Sequence, residues 1–334
     1  MKLVSVFAAV IGLALIAALV VHFGAGPVAR SFLALGGIGF TAICFIHLTL
    51  IALMGIAWWL LLPGMGPWAG VWGRLVRDSA SEVLPLSQLG GYVLGARALA
   101  LRGIAGDAAA ASTIVDVTVE FFAQLAYVAI ALLWLLRLDP RSRVALPITL
   151  GLVFAAGLAV GFVAAQRRGF GLLDRFAGAL GRGWADKTAA GAASLHAAVA
   201  AIYARPMSVW ASFVLHLVCW IASAAEIWLA LRFMNAPRGL GVVLVIESLI
   251  YAIRSVAFAV PNAVGVQEGA YILIGGGFGL TPDTALALSL LKRARDFVIG
   301  LPVLGIYHLI ESERLWRRAA VPNPASVKAK PRSR

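Results

Sequence analysis

The sequence predicts an all-α polytopic integral membrane protein with an inverted-topology repeat. Three observations predict this class: the composition, the length of the apolar runs, and a pattern that occurs twice. Hydrophobic residues make up 61% of the 334 residues and charged residues only 13%, about half the charged fraction of a soluble domain. A net charge of +13, without a soluble domain to present it, fits anionic lipid headgroups better than nucleic acid.

Six apolar runs reach the roughly 20 residues that span a bilayer. In chain order these predicted full transmembrane helices are Leu3–Phe23, Phe40–Leu62, Ser112–Leu136, Val144–Ala165, Ser208–Leu231 and Thr284–Ile310. The first is interpreted as a retained helix and not as a signal peptide, because only Lys2 precedes it and no clear cleavage site follows. The two cysteines, Cys44 and Cys219, fall inside spans, so neither a disulfide nor a metal site is expected.

Two further stretches, Trp68–Arg102 and Leu240–Gly279, are each broken at a proline. They begin one pattern that repeats without gaps after 176 residues, with the matched pairs Pro85 and Pro261, Gly103 and Gly279, Asp107 and Asp283, and Phe121 and Phe297. Interrupted apolar segments at corresponding positions of two halves indicate the binding site of a transporter. Repeat half one covers about residues 40–136 and half two about residues 208–310.

The proline and glycine residues at the breaks predict two re-entrant helical hairpins. Proline removes a backbone N–H and clashes with the preceding turn, and glycine permits the chain to reverse. The predicted hairpin tips contain Pro85, Gly90, Gly91, Pro261 and Gly265. With six full spans, the first hairpin opens to the cytoplasm and the second to the outside. The alternative is that both stretches cross fully, which gives up to ten spans.

The positions of lysine and arginine set the expected orientation. The tail at residues 313–334 is basic, and is expected to be disordered and cytoplasmic. A basic segment at about residues 167–205 is expected on the same side, as a surface helix or as an extension of the preceding span. The N-terminus is then also cytoplasmic, and residues 1–312 form a single transmembrane domain. Arg137, Arg141 and Arg143 fall outside in this arrangement, against the usual bias.

Ionisable residues inside the spans are costly there and usually mark ion or substrate paths. Asp116 and Glu120 are four residues apart and share one helix face, and the repeat aligns them with Lys292 and Asp296. Lys292 and its neighbouring arginines are therefore expected to face the two acids across a cavity. The predicted substrate-binding residues are Gln88, Arg97, Asp116, Glu120, Asn262, Gln267, Glu268, Lys292, Arg293, Arg295 and Asp296. The alternative is a structural ion-pair cluster without a ligand.

Other ionisable residues receive a structural interpretation. The histidines within the spans are interpreted as hydrogen-bonded packing residues, and Arg30, Arg74 and Arg77 as snorkelling or loop charges. Glu247 and Arg254, two helical turns apart, are either an intrahelical brace or a cavity wall. No nucleophile, metal-binding or phosphate-loop motif is found, so no enzymatic activity, cofactor or metal is expected.

Several stretches resemble the transmembrane domain of the lysylphosphatidylglycerol synthase/flippase family. The resemblance is carried by Leu84–Gly91, Gly95–Arg97, Val115–Glu120, Val260–Gly269 and Ser289–Arg295. Within that family the chain is most similar to the branch of membrane proteins associated with hopanoid biosynthesis. The family pattern often has an acidic residue at Tyr92 and glycine at Asn262, so the identity of the lipid does not follow from the resemblance.

The resemblance implies a multi-pass protein of the bacterial inner membrane with both termini cytoplasmic. The expected function is that of a lipid transporter or flippase, which moves a hopanoid or amino-phospholipid across or within that membrane. Alternatives are an integral-membrane enzyme of hopanoid or polyprenyl lipid biosynthesis, with Glu120 or Glu268 as general base, and a scaffold for such enzymes. The expected partners are membrane lipids and lipid-biosynthesis enzymes, and not nucleic acid.

Overall fold

The computed structural model describes residues 21, 25–62, 64–84, 87–142, 144–168, 182–257 and 260–320. Within these ranges every regular element is helical, as the composition predicts. The predicted first span lies outside the described residues except for Val21, as does the tail beyond residue 320. Pro85 and Arg143 also lie outside them.

The described helices follow one another with short connections. They are α1 (Ala25–Leu33), α2 (Gly36–Trp59), α3 (Pro67–Val83), α4 (Ser87–Leu101), α5 (Gly106–Leu138), α6 (Ala145–Arg168), α7 (Arg182–Tyr203), α8 (Pro206–Phe233), α9 (Leu240–Val256), α10 (Val266–Gly277) and α11 (Pro282–Ala320). A 3-10 turn, Pro261–Ala263, lies between α9 and α10.

Four of these helices, α2, α5, α6 and α8, are long and apolar enough to cross a membrane. They correspond to four of the six predicted spans, with ends that differ by up to six residues, so the chain is a multi-pass membrane protein. The sixth predicted span lies in α11, which is 39 residues long. Four of the five residues from Lys292 to Asp296 are charged. Helix α6 leaves most of its apolar surface exposed, including Val153, Phe154 and Leu158, as a helix that faces lipid would.

Each proline-broken stretch folds as a pair of short helices. Gly91 of α4 lies against Ser81 of α3, and Gly95 lies against Arg77. Because positions that advance along α4 recede along α3, this pair is antiparallel. Helix α3 has 17 residues and α4 has 15, so they extend about 25 and 22 Å, less than the ~30 Å core of a bilayer.

The second pair, α9 and α10, has 17 and 12 residues, and its two helices also pack against each other. Its turn contains Asn262, Ala263 and Gly265 at φ +49°, +44° and +83°. The expectation that Gly90 and Gly91 form the first tip is wrong. Both lie inside α4, which begins at Ser87, and Gly91 instead permits a close approach to α3.

The sequence repeat is also a repeat of backbone structure where α4 joins α5 and α10 joins α11. Gly103 and Gly279 both adopt a left-handed conformation, at φ +96° and +81°. In each joint the amide after the glycine donates to the carbonyl five residues earlier, and the glycine amide donates to the carbonyl three residues earlier. This is a glycine C-cap of the Schellman type. Asp107 and Asp283 then occupy the first turn of the next helix, where a negative charge is favourable.

Contacts at the helix ends fall into two separate sets. The first set brings together the α4–α5 joint, the end of α2, α7 and the later part of α11. Its contacts are Arg205 with the Leu61 carbonyl, Ser194 with Asp107, and Arg97 with Glu311. The second set brings together the α10–α11 joint, α1, the end of α5 and the start of α9. Its contacts are Ser31 with Asp283, Arg238 with the Phe278 carbonyl, and Trp134 with Gly241.

Helix α5 connects these two sets, because Asp107 belongs to the first and Trp134 to the second. The stretch between them rises about 40 Å at 1.5 Å per residue. The two repeated joints therefore lie at opposite ends of the molecule.

Candidate functional site

A cavity of about 250 Å³ lies between the two helix pairs and the neighbouring helices α2, α5, α8 and α11. Its wall contains four arginines, four acids and a histidine: Arg74, Arg77, Arg254, Arg295, Asp78, Glu82, Glu120, Asp296 and His47. Gln88, Tyr92 and Gln124 add polar atoms to the wall. Charged side chains inside a membrane bundle usually face such a cavity and mark a functional site.

Two arginines of α3 form one side of the site. Arg74 donates from Nη1 and Nη2 to the carboxylate of Glu120, at 2.9 and 2.7 Å. Arg77 donates from Nη1 to Asp116 at 2.7 Å and from Nη2 to Glu120 at 2.5 Å. The guanidinium of Arg77 also lies 4.6 Å above the ring of Tyr92. The interpretation of Arg74 and Arg77 as snorkelling or loop charges is therefore wrong, because both side chains are buried among acids.

Helix α3 approaches α2 closely enough to bury these arginines. A Cβ atom added to Gly55 of α2 would lie 2.5 Å from the Cα of Val71, and Gly70 lies against the backbone of Gly55. The glycines thus let the two backbones touch. Arg74 and Arg77, about one and two turns after this crossing, are each 4% exposed.

Two histidines contact the acids of the site. His216 Nε2 lies 3.0 Å from Oδ1 of Asp116, and its Nδ1 is buried without a partner among the described residues. His47 lies between two acids, with Nδ1 3.1 Å from Glu226 and Nε2 3.8 Å from Asp296. Both histidines therefore extend the charged network towards α8 and α11, in addition to packing there.

The charged residues of α11 pair with acids of the second half of the repeat. Lys292 Nζ lies 2.9 Å from Glu247, and Arg295 pairs with Glu226 and, at 2.6 Å, with Asp296. The expectation that Lys292 and the arginines beside it face Asp116 and Glu120 is wrong. The α5 acids are already paired with α3, and the acids that pair with Lys292 and Arg295 lie on α9, on α8 and on α11 itself.

A second cluster stabilises the turn at Pro261. Glu268 accepts hydrogen bonds from both Nε and Nη2 of Arg293, at 2.6 and 3.0 Å, and from the Gly265 amide at 2.7 Å. Arg293 Nη1 also donates to the Asn262 carbonyl at 3.2 Å. Gln267 donates to Ser289 at 2.8 Å. These residues fix the conformation of the turn and do not line the cavity.

The second turn touches the end of the first helix pair. Asn262 Nδ2 donates to the carbonyl of Glu82 at 2.5 Å. Arg254 Nη2 donates to both carboxylate oxygens of Glu82, at 2.6 and 2.8 Å. The two proline-broken segments therefore meet beside the cavity.

A family described as the lysylphosphatidylglycerol synthase TM region matches residues 5–303 of the chain. The chain belongs to this family. Membership indicates a function related to membrane lipids and confirms the resemblance seen in the sequence. No curated protein and no solved structure matches the chain significantly.

In this member of the lysylphosphatidylglycerol synthase TM-region family, the predicted site residues occupy three places. Gln88, Glu120, Arg295 and Asp296 line the cavity. Asp116 and Lys292 lie behind its wall, paired with Arg77 and Glu247. Asn262, Gln267, Glu268 and Arg293 form the turn cluster.

Arg97 is the predicted residue that falls outside the site. Its side chain is 52% exposed and pairs with Glu311 at 2.5 Å, at the end of the molecule that contains the α4–α5 joint. The sequence analysis missed Arg74 and Arg77. These two arginines are three residues apart and Asp116 and Glu120 are four apart, and either spacing places two residues on the same face of a helix. Complementary charges at such spacings on two helices were the available signal.

Proposed function

We propose that this protein is a lipid transporter or flippase of the bacterial inner membrane. The polar headgroup of the lipid enters the central cavity, where arginines bind its phosphate or hydroxyl oxygens and acids bind an amine. The observation that carries this proposal is the convergence of both proline-broken segments on one charged cavity inside an apolar bundle. A hopanoid with a polar headgroup and an amino-phospholipid are the two candidate substrates.

The proposed topology is an inverted repeat with both termini in the cytoplasm. The α3–α4 pair enters from the cytoplasm, and the α9–α10 pair enters from the outside. Support comes from the shortness of these helices and from the position of the two repeated joints at opposite ends of α5. Movement of one repeat against the other would open the cavity to each leaflet in turn, as in other transporters with inverted repeats.

The test is transport of a fluorescent phospholipid in proteoliposomes, measured as loss of protection from a membrane-impermeant reductant. Arg77→Gln and Glu120→Gln each remove one charge from the cavity wall. A charge-assisted hydrogen bond contributes about 1.5–3 kcal/mol, so we expect each change to slow transport about tenfold or more.

The matched control is Arg97→Gln, which removes an arginine that pairs with Glu311 away from the cavity and should leave the rate unchanged. Gel filtration and the thermal midpoint in detergent establish that each variant is folded. Transport at the wild-type rate by both folded cavity variants would exclude the cavity from the mechanism.

A further inference from the structure

The ion pair between Arg254 and Glu82 differs in geometry from the other arginine–glutamate pairs of the site. Arg74 and Arg293 each bind their glutamate through two nitrogens. Arg254 binds Glu82 through Nη2 alone, which donates to both carboxylate oxygens. The carboxylate therefore sits at one end of this guanidinium and leaves the rest of it unused.

The unused donors of Arg254 are available at the cavity. A guanidinium has five N–H donors, and within the described part of the chain Nε and Nη1 of Arg254 form no hydrogen bond. The residue is only 7% exposed and lines the cavity. A guanidinium binds a phosphate through two parallel hydrogen bonds, either from Nε and Nη2 or from Nη1 and Nη2. Each open nitrogen of Arg254 would therefore complete such a pair with Nη2, the nitrogen that Glu82 now occupies.

Glu82 is well placed to leave this pair. Its side chain is 25% exposed, whereas that of Arg254 is 8% exposed, so the carboxylate loses less hydration in the pair and regains it readily. Glu82 is the penultimate residue of α3, and its carbonyl accepts the hydrogen bond from Asn262. Glu82 therefore makes a polar contact with α9 through its side chain and with the second turn through its carbonyl.

The turn that Glu82 contacts is itself under backbone strain. Asn262 and Ala263 both have positive φ, a conformation that is unfavourable for residues with a Cβ atom. Such strain persists only where neighbouring contacts maintain it. The hydrogen bond from Asn262 to Glu82 is one of these contacts, in addition to those of Arg293 and Glu268.

Resting on the proposed function, we propose that Glu82 occupies the place of a lipid phosphate on Arg254. An entering phosphate-bearing headgroup binds Nη2 of Arg254 together with Nε or Nη1, and because both pairs need Nη2 it displaces the carboxylate of Glu82. This displacement breaks the side-chain link between α3 and α9. Arg254 is thus the residue that selects a phosphate-bearing lipid, and Glu82 is a latch that such a headgroup opens.

The first experiment measures ligand selectivity with the purified full chain in detergent. Three ligands are compared: a short-chain phosphatidylglycerol, the diacylglycerol with the same chains, and inorganic phosphate. We expect the wild type to bind the phospholipid about tenfold or more tightly than the diacylglycerol, the ratio given by one charge-assisted hydrogen bond. Equal affinity for the two lipids would overturn the proposal. Binding of inorganic phosphate as tight as that of the phospholipid would overturn the assignment to a lipid.

Variants separate ligand binding from a structural role. Arg254→Gln should remove the preference for the phospholipid, and Glu82→Gln should strengthen phospholipid binding, because the competing anion is gone. Glu82→Gln retains every arginine, so its result stands even if Arg254→Gln fails to fold. Weaker or unchanged phospholipid binding by folded Glu82→Gln would contradict the latch. Arg97→Gln, the control, should bind as the wild type does.

The outcomes also separate this inference from the proposed function. Phosphate-selective binding through Arg254 without transport in proteoliposomes would contradict the transport function alone. Transport without any difference between phospholipid and diacylglycerol binding would contradict the latch alone.

Discussion

The buried charges around the cavity depend on one another, because an ion in an apolar bundle is tolerated only with a partner of opposite sign. Lys292 illustrates this dependence. Its ammonium lies 2.9 Å from Glu247 and 4.7 Å from the centre of the Tyr251 ring, and the residue is 1% exposed. Removal of either member alone leaves a buried charge without the opposite charge that it is paired with.

Lys292→Met should therefore destabilise the fold by about 3–5 kcal/mol, the usual penalty for breaking a buried pair. Addition of Glu247→Gln removes the remaining charge and keeps an acceptor for Tyr271, so most of the loss should be recovered. The free energy of unfolding in mixed detergent micelles measures both effects.

The control for this prediction is Arg97→Met, which breaks the exposed pair with Glu311 and should change stability by about 0–1 kcal/mol. A double variant that is no more stable than Lys292→Met would indicate that the side-chain shapes, and not the charges, stabilise this region.

Among the individual residues, the sequence predicted the acidic face of α5 but not the arginines of α3 that pair with it. Asp116 and Glu120 share a helix face as expected, since both accept hydrogen bonds from Arg77. The partner was missed because helix periodicity reports which residues share a face, but not which other helix that face meets. The polar character of α3, with arginine, serine and acidic residues, resembles that of an exposed helix until the contact with α2 is known.

Among the elements, the two glycine-capped joints are the clearest product of the repeat. Gly103 and Gly279 have positive φ, a conformation that costs any residue with a Cβ atom about 1–2 kcal/mol. Gly103→Ala and Gly279→Ala should each lower the free energy of unfolding by about that amount.

The control for the joints is Gly157→Ala in α6, where nothing lies within 4 Å of an added Cβ. Alanine there should be neutral or stabilising by up to about 1 kcal/mol. Thermal midpoints in detergent compare the three variants. Equal shifts for Gly103→Ala and Gly157→Ala would contradict the role of the left-handed cap.

The repeat aligned Gly103 with Gly279, and these two residues share the same backbone conformation in the structure. It did not predict where the first turn lies. Gly90 and Gly91 resemble a turn in isolation, yet Ser87 already begins α4. Glycine favours close helix contact as well as reversal, and only the neighbouring helix decides between these roles.

For the whole molecule, the proposed inverted repeat makes a prediction about sidedness. Ala105 and Thr281 occupy equivalent positions in the two joints and are both exposed. Cysteine substituted at each position, in a background with Cys44→Ala and Cys219→Ala, should react with a membrane-impermeant maleimide from opposite sides. Ala105→Cys should react from the cytoplasm and Thr281→Cys from the outside.

Inside-out and right-side-out vesicles distinguish the two sides. Reaction of both cysteines from the same side would exclude the opposed arrangement of the halves.

The sequence predicted the membrane class and the repeat because both depend on composition and spacing. It did not reveal that Asn262 and Arg254 meet at Glu82, because that contact depends on how the halves dock.

The size of the cavity has a consequence for the range of lipids that the protein would accept. About 250 Å³ accommodates a polar headgroup but not two acyl chains, which must remain among the surrounding hydrocarbon. Discrimination would then occur at the headgroup alone. Lipids that share a headgroup but differ in chain length or unsaturation should compete equally for transport.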